Sequence, residues 1–312
     1  MASVATGADI ATSVGTRRRR YMERKSLLAL LLFLPPALIL FTLFIVLPMV
    51  DAATFSFFDW NGYGPITDFV GFENYADVLT HRNFGTAVRN SLIVVAVSLV
   101  IQLPLAMWCA IALSERGVHI NVLRTLFFLP FMLAEVAAGL IWKFVYDGNY
   151  GLLPAIGDGI GVDMPFVLGD KLWVIPAIML VITWKYFGFH MMIYIAGLQS
   201  IPNHVYEVAS LDGASPTRTF WSITMPLLRP VLVLVLVVTV IGSFQVFDTV
   251  AVTTGGGPIN ASRVIQMYIY QKAFGESDFG YASALSVILF VILALVAFIQ
   301  MKFLKGDESD LD

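Results

Sequence analysis

One cysteine, Cys109, stands in the whole chain. No internal disulfide can form, and no thiolate cluster can hold a metal. The residue lies within an apolar run and reads as a small buried hydrophobe. Charge is also scarce. Asp, Glu, Lys and Arg make up 13% of the 312 residues, against 58% hydrophobic residues. A chain so poor in polar surface is not a soluble domain around one core but a multi-span membrane protein. The net charge of −3 says little, because in a membrane protein placement outweighs the sum. No G-x-x-x-x-G-K-[ST] stretch occurs; Gly255–Gly257 lacks the Lys and the following helix, so it reads as a turn. If the protein is powered by ATP, hydrolysis happens on another chain. No H-E-x-x-H or Cys/His spacing points to a metal, and His81, His119, His190 and His204 are scattered. No nucleophile–base spacing stands out either. The expectation is no catalytic residue, no metal and no cofactor in this chain.

What is present is a series of long apolar runs, read as six transmembrane helices of an all-α membrane protein. They cover Leu27–Val50, Arg89–Leu113, Arg124–Tyr146, Leu172–Leu198, Leu227–Val250 and Tyr281–Leu304. Pro35, Pro36 and Pro48 fall near the ends of the first run, where a missing backbone donor does least harm. The runs define a span region over 27–304, between a basic tail at 1–26 and an acidic tail at 305–312. Asp51–Val88 is an aromatic-rich segment in which Phe69–Leu79 reads as a short interfacial helix. Asp147–Lys171 and Thr253–Gly280 read as outer loops. With the N-terminus inside, Arg17–Arg20, Arg24, Lys25, Arg116, Arg124, Arg218, Arg229, Lys302 and Lys305 fall on the inner side, twelve of nineteen basic residues. That bias places both termini in the cytoplasm. The basic tail is read as orienting the first span, not as binding nucleic acid.

The polar stretch Ser200–Pro230 separates the fourth and fifth runs. Asn203 is suited to cap a helix that Gly213 ends, and Ser215–Pro216 to open a second. A helix of about ten residues is roughly 15 Å long, too short to cross a bilayer. Val205, Val208, Ala209 and Leu211 are spaced to form one apolar face bordered by Glu207 and Asp212, a shape that fits a partner's groove. Glu207, Val208, Ala209, Gly213, Ile223, Met225 and Pro226 resemble the E-A-A-x3-G-x9-I-x-L-P loop of ABC importer permeases. Val208 replaces an Ala and Met225 a Leu. Phe69–Leu79, Arg124–Leu153, Gly188–Pro202, Phe247–Pro258 and Tyr281–Phe290 are similar to the carbohydrate permeases of the maltose and glycerol-phosphate type. The resemblance implies that the 200–226 loop is a coupling helix docking on an ATP-binding subunit, through Glu207, Ala209, Asp212 and Gly213. It further implies a second homologous permease, a dimer of ATP-binding subunits that carry ATP and Mg, and a periplasmic solute-binding protein facing the loops at 147–171 and 255–258. The setting would be the inner membrane of a bacterium.

Ionisable residues inside spans are costly and default to function. Glu135 falls midway along the third run, Lys185 midway along the fourth and Asp248 near the outer end of the fifth. Around them, Thr183–His190 and Ser243–Asp248 interleave polar side chains with aromatics. Aromatic faces cover the C–H surfaces of a sugar and polar groups take its hydroxyls. The maltose-type resemblance carries a substrate pathway onto Lys185, Tyr186, Phe189, Phe244, Gln245 and, by position, Asp248. The expected function is a permease subunit of an ABC importer for a sugar or sugar derivative. The alternatives are a stand-alone secondary transporter using Glu135, Lys185 and Asp248, and a membrane anchor for an enzyme. Lys185 permits an anionic sugar without requiring one.

Overall fold

The structure is a computed structural model that describes residues 31–115 and 117–305, with side chains through 302. The basic tail at 1–26, the start of the first span, Arg116 and the acidic tail lie outside the described residues. Contacts divide the chain after Phe55, and the two parts are taken separately.

The first part is one apolar helix, Leu31–Phe55. Its 25 residues reach about 37 Å at 1.5 Å each, enough to cross a bilayer. It runs past the expected end at Val50, so Pro48 is interior. A five-residue π turn, Thr42–Val46, ends two residues before that proline. The same offset recurs at Ser98–Gln102 before Pro104 and at Phe220–Thr224 before Pro226. A proline ring crowds the carbonyl four residues back and donates no N–H, and a widened turn relieves both problems without ending the helix.

In the second part the long apolar helices are Arg82–Ala112, Val174–Ser200, Arg229–Thr253 and Phe279–Lys302, all long and apolar enough to span. The second span starts seven residues earlier than expected, because His81 accepts from the Asn83 N–H and caps it. The third departs most from expectation. It is two helices, Val118–Met132 and Glu135–Val145, with axes bent by 97° at Leu133–Ala134. Counted as one broken span, it brings the candidate total to six. The fifth span is interrupted too, at 245–247, between Arg229–Phe244 and Asp248–Thr253. The loops expected at 147–171 and 253–280 contain helices, Leu152–Ile160 and a run over 265–275.

The fourth span is the centre of packing. Met191, Tyr194 and Ile195 meet Leu103, Ala106 and Met107 of the second span, with Leu228 and Val235 closing the cluster. At the opposite end Val174, Ile178 and Ile182 meet Val94, Val250 and Val264. Gly188 lets Val118–Met132 cross the fourth span so closely that a Cβ there would run into the Phe127 carbonyl. Such small-residue crossings suit a membrane, where association depends on close packing.

Asn90, buried on the second span, holds the chain between the fifth and sixth spans. Its amide donates to the carbonyls of Ala261 and Arg263, both at 2.9 Å. Next to it Ser91 Oγ accepts from the Ile265 N–H at 3.0 Å. Asn90→Leu leaves two carbonyls without donors, at a cost of about 2 kcal/mol. Amide hydrogen exchange over 254–264 should speed up by at least about tenfold, as that cost implies, while the core of the fourth span keeps its protection. Equal exchange in both proteins would remove Asn90 as the anchor.

Candidate functional site

The break in the third span exposes helix-end carbonyls at membrane depth, where water cannot serve them. Lys185 supplies the donor. Its Nζ lies 2.6 Å from the Leu133 carbonyl and 3.5 Å from that of Pro130, and the residue is 2% exposed. Pro130 has no π turn before it, and directly after Met132, at Leu133, the chain has left helical geometry. Glu135 opens the second half-helix, where a carboxylate faces the positive end of the helix dipole. Its Oε1 is 3.6 Å from Lys185 Nζ. It is therefore not a mid-helix charge, as the run of sequence suggests, but the first residue after a break.

The same carboxylate reaches the fourth and fifth spans. Tyr186 OH donates to its Oε1, and Thr249 Oγ1 donates to its Oε2 at 3.3 Å. Thr249 belongs to the short helix after the fifth-span interruption, which packs against Glu135–Val145 where Gly139 meets Val252. The two interruptions are thus one locus. Beside it lies a cavity of about 170 Å³ lined by Glu135, Tyr186, Gln245, Phe247, Asp248 and Thr249. Non-helical backbone within a membrane is tolerated where it lines a cavity, and broken helices mark substrate sites in transporters.

A second cavity of about 80 Å³ adjoins it through Tyr186, Gly242 and Val246. Its walls include Gln102, Phe189, His190 and Thr239. His190, 4% exposed, joins three spans. Its Nδ1 is 3.0 Å from both Gln102 Nε2 and the Tyr186 carbonyl, and its Nε2 is 3.0 Å from Thr239 Oγ1. Phe189 stacks on Phe131 with centroids 4.5 Å apart.

Of the pathway residues expected from sequence, Tyr186, Phe189, Gln245 and Asp248 line these cavities. Lys185 lies behind the wall, turned to the break. Phe244 lies elsewhere, 5% exposed and packed with Val240, Ile265 and Leu289. It is the last residue of the helix, and the turn at Gln245 sends the neighbouring side chains in different directions. Sequence reasoning passes over Gln102 and Thr239 and takes in His190 only as the end of the Thr183–His190 stretch. The signal was present on the fourth span: Ile182, Tyr186, Phe189 and His190 recur at helical spacing on one stripe.

The 200–226 loop forms a second locus. Its helix is Asn203–Leu211. Asn203 is its first helical residue and does not cap it; Pro202 holds the cap position without a side-chain bond. Gly213, at φ +73°, ends the helix. The Gly213 N–H donates to the Ser210 carbonyl and the Ala214 N–H to that of Ala209, the paired bonds of a Schellman stop. Ser215 Oγ then accepts from the Arg218 N–H and starts the next helix at Pro216. The expected single apolar face divides in two. Val205, Tyr206 and Ala209 turn inward onto the core, while Val208 and Leu211 point out, Leu211 being 85% exposed. Glu207 lies on that outer stripe, and Asp212 is exposed at the helix end. Behind the helix runs a groove of about 800 Å³ between Ser114, Tyr206, Ser210, Thr219, Phe220 and Thr224.

Fold and sites together define a class: a multi-pass helical membrane transport component whose broken spans meet at a polar cavity. The chain belongs to the family described as binding-protein-dependent transport system inner membrane component, whose model matches residues 102–306. It is 34% identical over 283 residues to the probable ABC transporter permease protein YurN of Bacillus subtilis, covering 89% of this chain and 97% of that one. It is 34% identical over 278 residues to the multiple sugar-binding transport system permease protein MsmF of Streptococcus mutans, covering 88% and 95%. Its fold matches, with a TM-score of 0.79 at 22% identity, a crystal structure of a bacterial ABC transporter involved in the import of the acidic polysaccharide alginate. That match covers 94% of this chain and 99% of the other. The protein is an importer permease component and not an enzyme. The stand-alone transporter reading, with a Glu135–Lys185–Asp248 relay, is overturned by this membership. Glu135 and Lys185 do meet, as part of the third-span break.

Proposed function

We propose that this permease translocates a sugar or sugar derivative across the bacterial inner membrane, with both termini and the 200–226 loop in the cytoplasm. A periplasmic binding protein delivers the solute, and the pathway runs between this chain and a second homologous permease. A dimer of ATP-binding subunits holds ATP and Mg and docks on the helix Asn203–Leu211. The named sugar transport of a relative supports the substrate class, and the aromatic and hydroxyl-bearing cavity walls fit it.

The observation that carries the coupling role is the outer stripe of Glu207, Val208 and Leu211. It is an exposed apolar strip with one carboxylate, on a short helix pinned to the core by its other face. A helix held that way transmits a push from a partner's groove to the spans. Tyr206 joins it to the following segment, accepting from Thr224 Oγ1 at 3.4 Å. In the assembled importer, Glu207→Lys should cut substrate-stimulated ATP hydrolysis and uptake by at least about tenfold, the size of an interface hot spot. Gly213→Pro should do the same, because Pro cannot take the φ of +73°. Both variants should still reach the membrane. Stimulated hydrolysis and uptake at wild-type levels in both would count decisively against the docking role.

A further inference from the structure

We infer that the pathway wall of this subunit admits uncharged or cationic hydroxyl-rich solutes and disfavours anionic ones. The inference rests on the permease reading and names the substrate class of that same site. Three observations carry it. The first is where the cation went. Lys185 is the basic residue at the third-span break, and its Nζ is spent on the Leu133 and Pro130 carbonyls and on Glu135. It is 2% exposed and lines neither cavity, so no ammonium awaits a phosphate, sulfonate or uronate.

The second is the charge that remains. The charged side chains on the walls of the two cavities are Glu135 and Asp248, both in the larger one. Glu135 is paired with Lys185 and accepts from Tyr186 and Thr249, so the charge left to act on a solute is that of Asp248, which is exposed. With the Glu135–Lys185 pair neutral overall, a single carboxylate on a low-dielectric wall concentrates the opposite sign and repels its own.

The third observation is independent of charge. Gln102, 2% exposed, sits in the wall of the smaller cavity. One terminal atom of its amide is held by His190 and the other has no partner. That free atom is itself buried, and a hydroxyl admitted deeper into the cavity would satisfy it whichever way the amide is turned, because it donates and accepts equally well. With Thr239 and Tyr186 on the same wall, the smaller cavity fits a hydroxyl-bearing group, and the larger one adds acceptors for further O–H or N–H donors.

The test uses the complete importer, both permeases with the ATPase dimer, in lipid nanodiscs. Cys109→Ala removes the native thiol. Gln245→Cys, and in a second version Phe247→Cys, places a thiol on the cavity wall. Each is reacted with a trimethylammonium and with a sulfonate methanethiosulfonate reagent, and each rate is divided by that reagent's rate with a small free thiol. The cationic reagent should be favoured by about tenfold or more, the scale of field focusing in a charged cleft. Adding Asp248→Asn should lower that preference severalfold. A preference at or below that of the free thiol, one indifferent to Asp248→Asn, or no reaction at either position would overturn the inference. Uptake by the labelled importer separates this from the reading beneath it. Labelling that leaves ATP-driven uptake intact sinks the pathway assignment itself, whereas a blocked importer without charge preference sinks only the charge selection.

Discussion

Gly188→Ala should cost the protein about 3 kcal/mol or more, the upper end for forcing one extra methyl into a packed core. A Cβ on Gly188 would lie far inside 3.0 Å of the Phe127 carbonyl oxygen and press on the Phe128 Cα. These are backbone atoms of a crossing helix. They cannot turn aside as the tip of a side chain can, so the whole of Val118–Met132 has to move. That helix ends at the third-span break, and its last carbonyls hold Lys185. The substitution should therefore disturb the cavity as well as the fold. Thermal unfolding in detergent micelles reads the loss. Gly85→Ala is the control, because a Cβ there meets no atom within 4 Å. Since Ala is the better helix former, that variant should match or slightly exceed the parent. Equal melting of Gly188→Ala and the parent would mean that the two helices cross at a greater distance.

The second large effect is at the break itself. Glu135→Ala leaves the Lys185 ammonium, 2% exposed, with neutral carbonyls alone. Removing one partner of a buried pair costs about 3–5 kcal/mol, because the remaining charge is stranded. Tyr186 OH and Thr249 Oγ1 lose their acceptor at the same time. Lys185→Met strands no charge in the same way, since Glu135 keeps the bonds from Tyr186 and Thr249, and it should cost about 2 kcal/mol for the carbonyls left without a donor. The double variant should be less damaging than the two losses added, with a coupling of about 1–3 kcal/mol. Strict additivity in detergent unfolding would show that the two side chains do not depend on each other.

The span count, the 200–226 helix and its glycine stop were legible in sequence because they follow from local chemistry. Apolar runs of about twenty residues must be helical in lipid, where each backbone group needs an internal partner. Gly213 could be read as a stop because a residue at φ +73° is nearly always glycine there. The spacing of Ser215 and Pro216 worked for the same reason: cap and first turn involve neighbours along the chain.

The misreadings have a common cause. Asn203 has the right chemistry for a cap, yet the helix begins one residue early, at a backbone set by Pro202. Val208 and Leu211 pattern with Val205 and Ala209 in sequence, but which side of a short helix is covered depends on what lies beneath it. Glu135 looked like a charge in the middle of a continuous run. Nothing within residues 124–146 requires the 97° bend; Lys185, some fifty residues later, is what makes it tolerable. Phe244 and Gln245 are expected together, and the helix end between them turns Phe244 into the core and Gln245 onto the cavity wall.

By itself, then, the sequence determined that this is a helical membrane protein, roughly how many spans it has, that it carries a short polar helix with a glycine stop, and to which family it belongs. Each of these depends on composition, periodicity or motif spacing, all of which are properties of contiguous chain. The tertiary structure alone decided that two spans are broken and that their breaks coincide. It also decided that the buried Lys185 serves the third-span break, leaving Glu135, Asp248 and Gln102 to face the cavities. The physical reason is that a carbonyl freed in lipid must find its donor wherever the fold brings one, and no local pattern records which distant side chain that will be.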